Sequence, residues 1–268
     1  MLDFDLTPEL QELQLRARKV AAEGVAEFGA HTDSWINGYS KEFSQRLAEE
    51  GWIGMTWPEE FGGGGQSNLA RIIMGEEMIS VGAPIAASWF ADRQMGPALF
   101  TYGTADQQAE FLPGMLSGET TWCIGMSEPN AGSDLAGLKT SAERDGDVFV
   151  VNGQKIWTSF AAMADYCYLI CRTSSDGPPH KGVSELIVPM DLPGIEIRPI
   201  KDMTITSTSA KCSSTMFGSQ PKTSSGSKAM RSSRRWRSSN TSGAVSTVSC
   251  RTDRSLTERW PSPIPAIR

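Results

Sequence analysis

The run Gly125-Met126-Ser127-Glu128-Pro129-Asn130-Ala131-Gly132-Ser133-Asp134-Leu135-Ala136-Gly137 gathers small residues, two hydroxyls and two acids into thirteen positions. Small residues let a backbone approach a flat polar ligand closely. Amides and Ser hydroxyls supply neutral donors for phosphate or carbonyl oxygens without a fixed positive charge. By composition alone the same run is better read as a plain turn with Asx and Ser caps, so what flanks it decides between the readings.

Upstream, the chain reads as helices with recognisable ends. Thr7, Pro8 and Glu9 make a helix start: Thr caps free amides, Pro suits the first helical position and Glu favours the positive end of the dipole. Leu10, Leu13 and Ala17 then share a face. Ser40 opens a second helix with Phe43, Leu47 and Ala48 on one side, and Gly51 can end it in the left-handed conformation. A loop from Trp57 to Gly65 follows, and a third helix is predicted over 69–81. Thr104 and Gln107 form a capping box ahead of Ala109, Phe111 and Leu112.

Downstream the period shifts to two. Residues 148–151 and 154–158 read as a hairpin closed by an Asn152-Gly153 turn, with further strands over 166–172, 183–188 and 195–200. Helices first and strands afterwards indicate an α+β fold with segregated layers. The expected order is an N-terminal helical domain (1–118), an incomplete β-sandwich-like middle domain (119–205) and a Ser/Arg-rich tail (206–268).

In every position that the pattern constrains, 125–137 resembles the first signature of the acyl-CoA dehydrogenase family. Trp57-Pro58-Glu59-Glu60-Phe61-Gly62-Gly63 is similar to that family's loop in its helical domain. Tyr102-Gly103-Thr104 with Gln107 and Phe111-Leu112-Pro113 resembles the approach to its β domain. Asn152-Gly153-Gln154-Lys155-Ile156-Trp157-Thr158-Ser159 resembles its second flavin-contacting strand, and Lys181-Gly182-Val183-Ser184 with Val188-Pro189 continues in register. The resemblance covers residues 1 to about 203, and its motifs recur in the family's order and spacing.

The resemblance implies an FAD-dependent oxidoreductase that takes two hydrogens from an acyl-CoA thioester and passes electrons to an electron-transferring flavoprotein. It implies a cofactor shell of Ile124, Gly125, Met126, Ser127, Gly132, Ser133, Trp157, Thr158 and Ser159. Ser127 and Ser159 would donate to the flavin's ring edge, Trp157 would cover one ring face and Ser133 would also touch the acyl-CoA. Hydroxyls and amides at that edge stabilise negative charge on the reduced ring, and an indole is a flat apolar wall. Taken alone, Trp157 would be an ordinary core tryptophan. Glu128 and Asp134 read as structural acids that cap the loop. Family members form homo- or hetero-oligomers, and an oxidase or a non-catalytic partner subunit stays open within the family.

Other classes are excluded on composition. The 268 residues, 39% hydrophobic and 21% charged, are enough for about two domains. No uninterrupted apolar run of about 18 residues is present, and the acidic start has no basic region ahead of a hydrophobic segment, so the expectation is a cytoplasmic protein without a membrane role. Two histidines, His31 and His180, leave little for a triad or a metal site and read as solvated. Five cysteines form no CxxC pair; Cys167 and Cys171, in a strand-like run, read as buried and inert. Gly62 to Gly65 lacks the Lys and Ser/Thr of a phosphate-binding loop and reads as a flexible connection.

The tail departs from this pattern. Residues 206–268 hold 17 Ser, 8 Thr, 8 Arg and 3 Lys against Asp253 and Glu258, so the chain's net charge of −6 conceals an acidic body and a basic tail. Its composition predicts disorder, and the functional alternative is a nucleic-acid-binding segment whose arginines displace counterions. Nothing in it resembles the family's C-terminal four-helix bundle, which carries the catalytic glutamate, so no catalytic residue is assigned in this chain and little or no turnover is expected. A shifted reading frame accounts for the change. With codons TCT GCG AAG TGT TCT TCG ACG ATG TTT for Ser209 to Phe217, reading from the third base gives Cys-Glu-Val-Phe-Phe-Asp-Asp-Val, similar to the family's next strand. The same offset continues to Ser249.

Overall fold

The computed structural model describes residues 5–145, 148–201 and, as backbone, 209–214. Among the described residues seven α-helices come first: α1 (Pro8–Phe28), α2 (Ser34–Asn37), α3 (Lys41–Glu49), α4 (Asn68–Val81), α5 (Ala86–Phe90), α6 (Gly96–Tyr102) and α7 (Ala105–Leu116). Seven strands follow: β1 (Trp122–Gly125), β2 (Ser141–Asp145), β3 (Val148–Ser159), β4 (Tyr166–Arg172), β5 (Val183–Pro189), β6 (Ile195–Ile200) and β7 (Ser209–Ser214). The helices-then-strands order is the segregated α+β architecture that the periodicity predicts.

Local signals place most helix starts. Thr7, Ser40 and Ser67 cap α1, α3 and α4 with side-chain oxygens, and both halves of the Thr104/Gln107 capping box form at α7. Ala17, Val20 and Ala21 of α1 bury against Phe43 and Leu47 of α3 and Ala70, Met74 and Met78 of α4. Arg18 grips Glu77 of α4 with two 2.9 Å bonds. Ala109 is exposed, whereas Phe111 and Leu112 are buried as expected. The path through α5, a π-helical turn (Ala91–Met95) and α6 has no counterpart in the sequence reading; neither α5 nor α6 has a side-chain cap.

Two expectations are corrected here. Gly62 to Gly65 is no flexible connection: the amides of Gly63, Gly64 and Gly65 donate to Pro58, Gly54 and Trp57 carbonyls, folding the loop tightly around the buried Trp57. Asn152-Gly153 is no turn either. It lies inside the continuous strand β3, and the antiparallel partner is β2, with Ser141 opposite Asn152. A Cβ on Gly153 would sit 2.4 Å from Thr140 Oγ1, so this glycine admits a neighbouring chain rather than reversing its own.

The sheet runs β1-β4-β2-β3-β7-β6, with β5 also paired to β4. Gly125, Cys167, Leu169, Val188 and Ile195 line a partly open cavity of about 50 Å³. The opposite face of β4 meets the helices. Trp57, Met95, Leu99, Phe111 and Met115 pack with Trp122, Tyr168 and Ile187 in one cluster. Asp165 ties the same seam, accepting from Lys41 Nζ at 2.9 Å and from the Thr121 amide at 2.8 Å.

Composition predicts disorder from 206 onward, yet Ser209–Ser214 forms β7 between β3 and β6. Two open strand edges recruit a third through backbone bonds that depend little on side-chain identity. The rest of the expected disorder lies outside the described residues. Among the described residues, no helix is long and apolar enough to cross a membrane.

Candidate functional site

The two motifs singled out in the sequence meet at the end of β1. The loop after Gly125 is joined to β3 where the Ile156 amide donates to the Ser127 carbonyl at 2.9 Å. Ile124 and Ser127 are half-buried, Met126 is 42% exposed, and Gly132 and Ser133 are exposed further along the loop. Across from them the register of β3 shifts between Lys155 and Thr158, so Ile156 and Trp157 form a bulge. Trp157 has φ of +60° and is 62% exposed. That backbone conformation is costly for a bulky residue, by about 1–3 kcal/mol, and an indole left in water forgoes its burial energy as well. Phe160 shares the positive φ but is buried.

The expected shell is therefore split. Ser127, Met126, Ser133, Trp157 and Ser159 are exposed or half-buried, while Gly125 and Thr158 are buried and line the cavity against β4. Thr158 is fully buried and its hydroxyl has no hydrogen-bond partner.

Beneath the loop lies a buried ion pair. Glu128 accepts from the Lys139 amide at 2.7 Å, the Thr140 amide at 2.9 Å and Lys155 Nζ at 2.9 Å. Lys155 Nζ also donates to the Met126 carbonyl at 2.9 Å. Burial pushes the Glu128 carboxyl up, but hydrogen bonds from Thr140, Lys139 and Lys155 outweigh it and hold the group at about 2. Burial pulls Lys155 below the ordinary lysine range against the attraction of Glu128. Glu128 is thus the loop-capping structural acid that the sequence suggests; Asp134 is exposed and heads a short 3-10 turn, Leu135–Gly137. The role of Lys155 was missed. Its one sequence signal is a cation at an inward-facing position of a strand.

Glu128 is ionised and engaged, and burial pushes the Cys171 thiol up to about 12. His180 is exposed, while His31 is half-buried rather than fully solvated, its amide bonded to the Gly82 carbonyl. Neutral donors beside an exposed, strained indole fit a flat polar ring system better than they fit a charged or metal-bound ligand.

Comparison with known proteins finds two adjoining family models, "Acyl-CoA dehydrogenase, N-terminal domain" over residues 7–119 and "Acyl-CoA dehydrogenase, middle domain" over residues 123–217. Acyl-CoA dehydrogenase IpdE1 of Mycobacterium tuberculosis is 45% identical over 166 residues, 62% of this chain and 43% of that protein. Among solved structures, the Tcur3481-Tcur3483 steroid ACAD has a TM-score of 0.72 at 37% identity, covering 78% of this chain and 55% of that one. The ChsE4-ChsE5 complex from Mycobacterium tuberculosis has a TM-score of 0.69 at 34% identity, covering 80% and 55%. The chain spans about half the length of these relatives.

Proposed function

Since this chain belongs to the acyl-CoA dehydrogenase family, we propose that residues 1–205 carry one side of an FAD site for the 2,3-dehydrogenation of an acyl-CoA thioester. The observation that carries the reading is the exposed indole of Trp157, held at φ +60° on a bulge that is hydrogen-bonded to the Ser127 loop. When bound, FAD supplies the two-electron acceptor for this chemistry. Ser127 and Ser159 orient the ring edge by donating hydrogen bonds, Trp157 walls one face against water, and Ser133 meets the acyl-CoA. Ile124, Met126 and Gly132 complete the surface with backbone and apolar contact, together with the backbones of Gly125 and Thr158.

The substrate class is an acyl-CoA thioester, and kinship with a steroid ACAD favours a steroid-bearing acyl group. A second acyl-CoA dehydrogenase chain and an electron-transferring flavoprotein are the proposed partners, the first supported by likeness to a two-chain complex. General-base removal of the α-proton needs a carboxylate within hydrogen-bond reach, and none in residues 1–205 matches the family's base. The chain as written is therefore proposed to bind flavin with little or no turnover, its sequence from about Thr206 being out of frame. Sequencing the gene from the Asp202 codon past that of Ser209, and weighing the native protein, tests this. An in-frame gene and a longer chain restore the full reaction, whereas a confirmed shift and the 268-residue mass leave flavin binding alone.

The direct test is titration of the purified chain with FAD. Tight binding is expected, and Trp157→Ala should weaken it about tenfold or more, the loss of one stacked aromatic face. A colourless chain that takes up no FAD but binds nucleic acid with steep salt dependence would overturn the reading in favour of the basic tail.

A further inference from the structure

We infer that Lys155 is a positioning residue that holds the two sides of the flavin cleft at a fixed spacing, its ammonium tying the 126–128 turn to the bulge of β3. The inference rests on the flavin reading above and adds a residue which that reading does not use.

The geometry is that of a clasp. Lys155 is the last residue in regular register before the bulge, and the next amide, that of Ile156, donates to Ser127. Its Nζ crosses the same gap twice, to the Met126 carbonyl and to Glu128 Oε1, each at 2.9 Å. Glu128 is itself fixed by the Lys139 amide on its other oxygen, Oε2, and by the Thr140 amide on the same Oε1 that Lys155 holds. Three bonds therefore join Met126, Ser127 and Glu128 to two consecutive residues, and Trp157 is the residue immediately after them. The side chains of Lys155 and Glu128 are 4% and 7% exposed.

A purely structural joint would not need charge, since buried ion pairs are commonly no more stabilising than apolar substitutes of similar volume. An apolar pair, however, could not satisfy the Met126 carbonyl and direct it. The ammonium is the one group in the clasp with enough donors to hold a carbonyl of the loop and a carboxylate together. What it holds is the strained Trp157 on one side and Ser127 on the other, the two groups that must meet one ligand from different directions. Spacing errors of about 1 Å at such a site cost up to about a hundredfold.

The test uses the full chain with Lys155→Met and the paired Glu128→Gln/Lys155→Met, which removes both charges and keeps the interior packed. FAD is titrated and followed by flavin absorbance and visible circular dichroism, and amide exchange is read at Ile156, Lys139 and Thr140. The expected result is an FAD dissociation constant raised about tenfold or more in both variants, an altered flavin dichroism, and lost protection at Ile156 with α1 still protected. The paired variant should recover thermal stability but not flavin affinity, which a merely structural pair would recover together. Parent-like FAD binding in either variant overturns the positioning role while leaving the flavin reading intact. Failure of the parent chain to bind FAD overturns both, and is seen before any variant is compared.

Discussion

Trp57→Ala is expected to lower the unfolding free energy by about 3–5 kcal/mol, the cost of emptying a large, fully buried aromatic site. Trp57 is 1% exposed and packs edge-on to Phe100, with ring centroids 5.8 Å apart. Its Nε1 donates to the Asp92 carbonyl at 2.8 Å, while Asp92 Oδ1 accepts from the Gly54 amide at 2.7 Å. Truncation would leave both a cavity and an orphaned carbonyl inside the π-helical turn. The cluster around Trp57 also includes Trp122, Tyr168 and Ile187, so the loss should be shared by helices and sheet. Gly96→Ala should act on the same site from the other side, because its Cβ would lie 2.0 Å from Trp57 Cζ2. Urea unfolding followed by circular dichroism measures the effect. A loss below about 1 kcal/mol for Trp57→Ala would mean that the ring is not the hub between helices and sheet.

Acid should destabilise the protein through Glu128, and the direction follows from linkage. Its carboxyl is held at about 2 in the folded chain against an ordinary value of 4.5. Stability from this group is therefore fully present above about 4.5 and is lost as pH falls through that window towards 2, by up to about 3 kcal/mol. Glu77 and Asp165 are depressed as well: burial opposes the effect of Lys41 and Thr121 on Asp165, while hydrogen bonding from Arg18 leads at Glu77. The parent's acid limb is thus composite, and comparison with Glu128→Gln isolates one member. At neutral pH that variant should lose about 3–5 kcal/mol, because Lys155 is left buried with an unmatched charge. Its stability should then fall less steeply than the parent's between pH 4.5 and 2. Parallel acid limbs for the two proteins would remove Glu128 from the account.

Features that depend on three or four neighbouring residues were legible in the sequence. Caps at Thr7, Ser40 and Thr104 form as expected, since a side chain and an amide three positions apart meet in any helix that begins there. Strands over 166–172 and 195–200 stand within the predicted limits because alternation or sustained apolarity marks them directly. The path from α5 to α6 was invisible: neither helix has a side-chain cap, and the π-helical turn between them breaks the 3.6-residue period. Asn152-Gly153 misled because a local turn signal was overridden by Thr140, thirteen residues before the glycine and pressed against it.

Sequence by itself determined the helices-then-strands order, the break in character near residue 205 and the two motifs that share a site, all of which are written in local pattern and composition. Tertiary structure alone decided that Trp157 stands exposed at positive φ, that Thr158 turns inward, and that Lys155 closes on Met126 and Glu128. The physical reason is distance along the chain. A residue's propensity can be read from its neighbours, but the direction of a bulge and the partner of a buried charge are set by segments that only packing brings together.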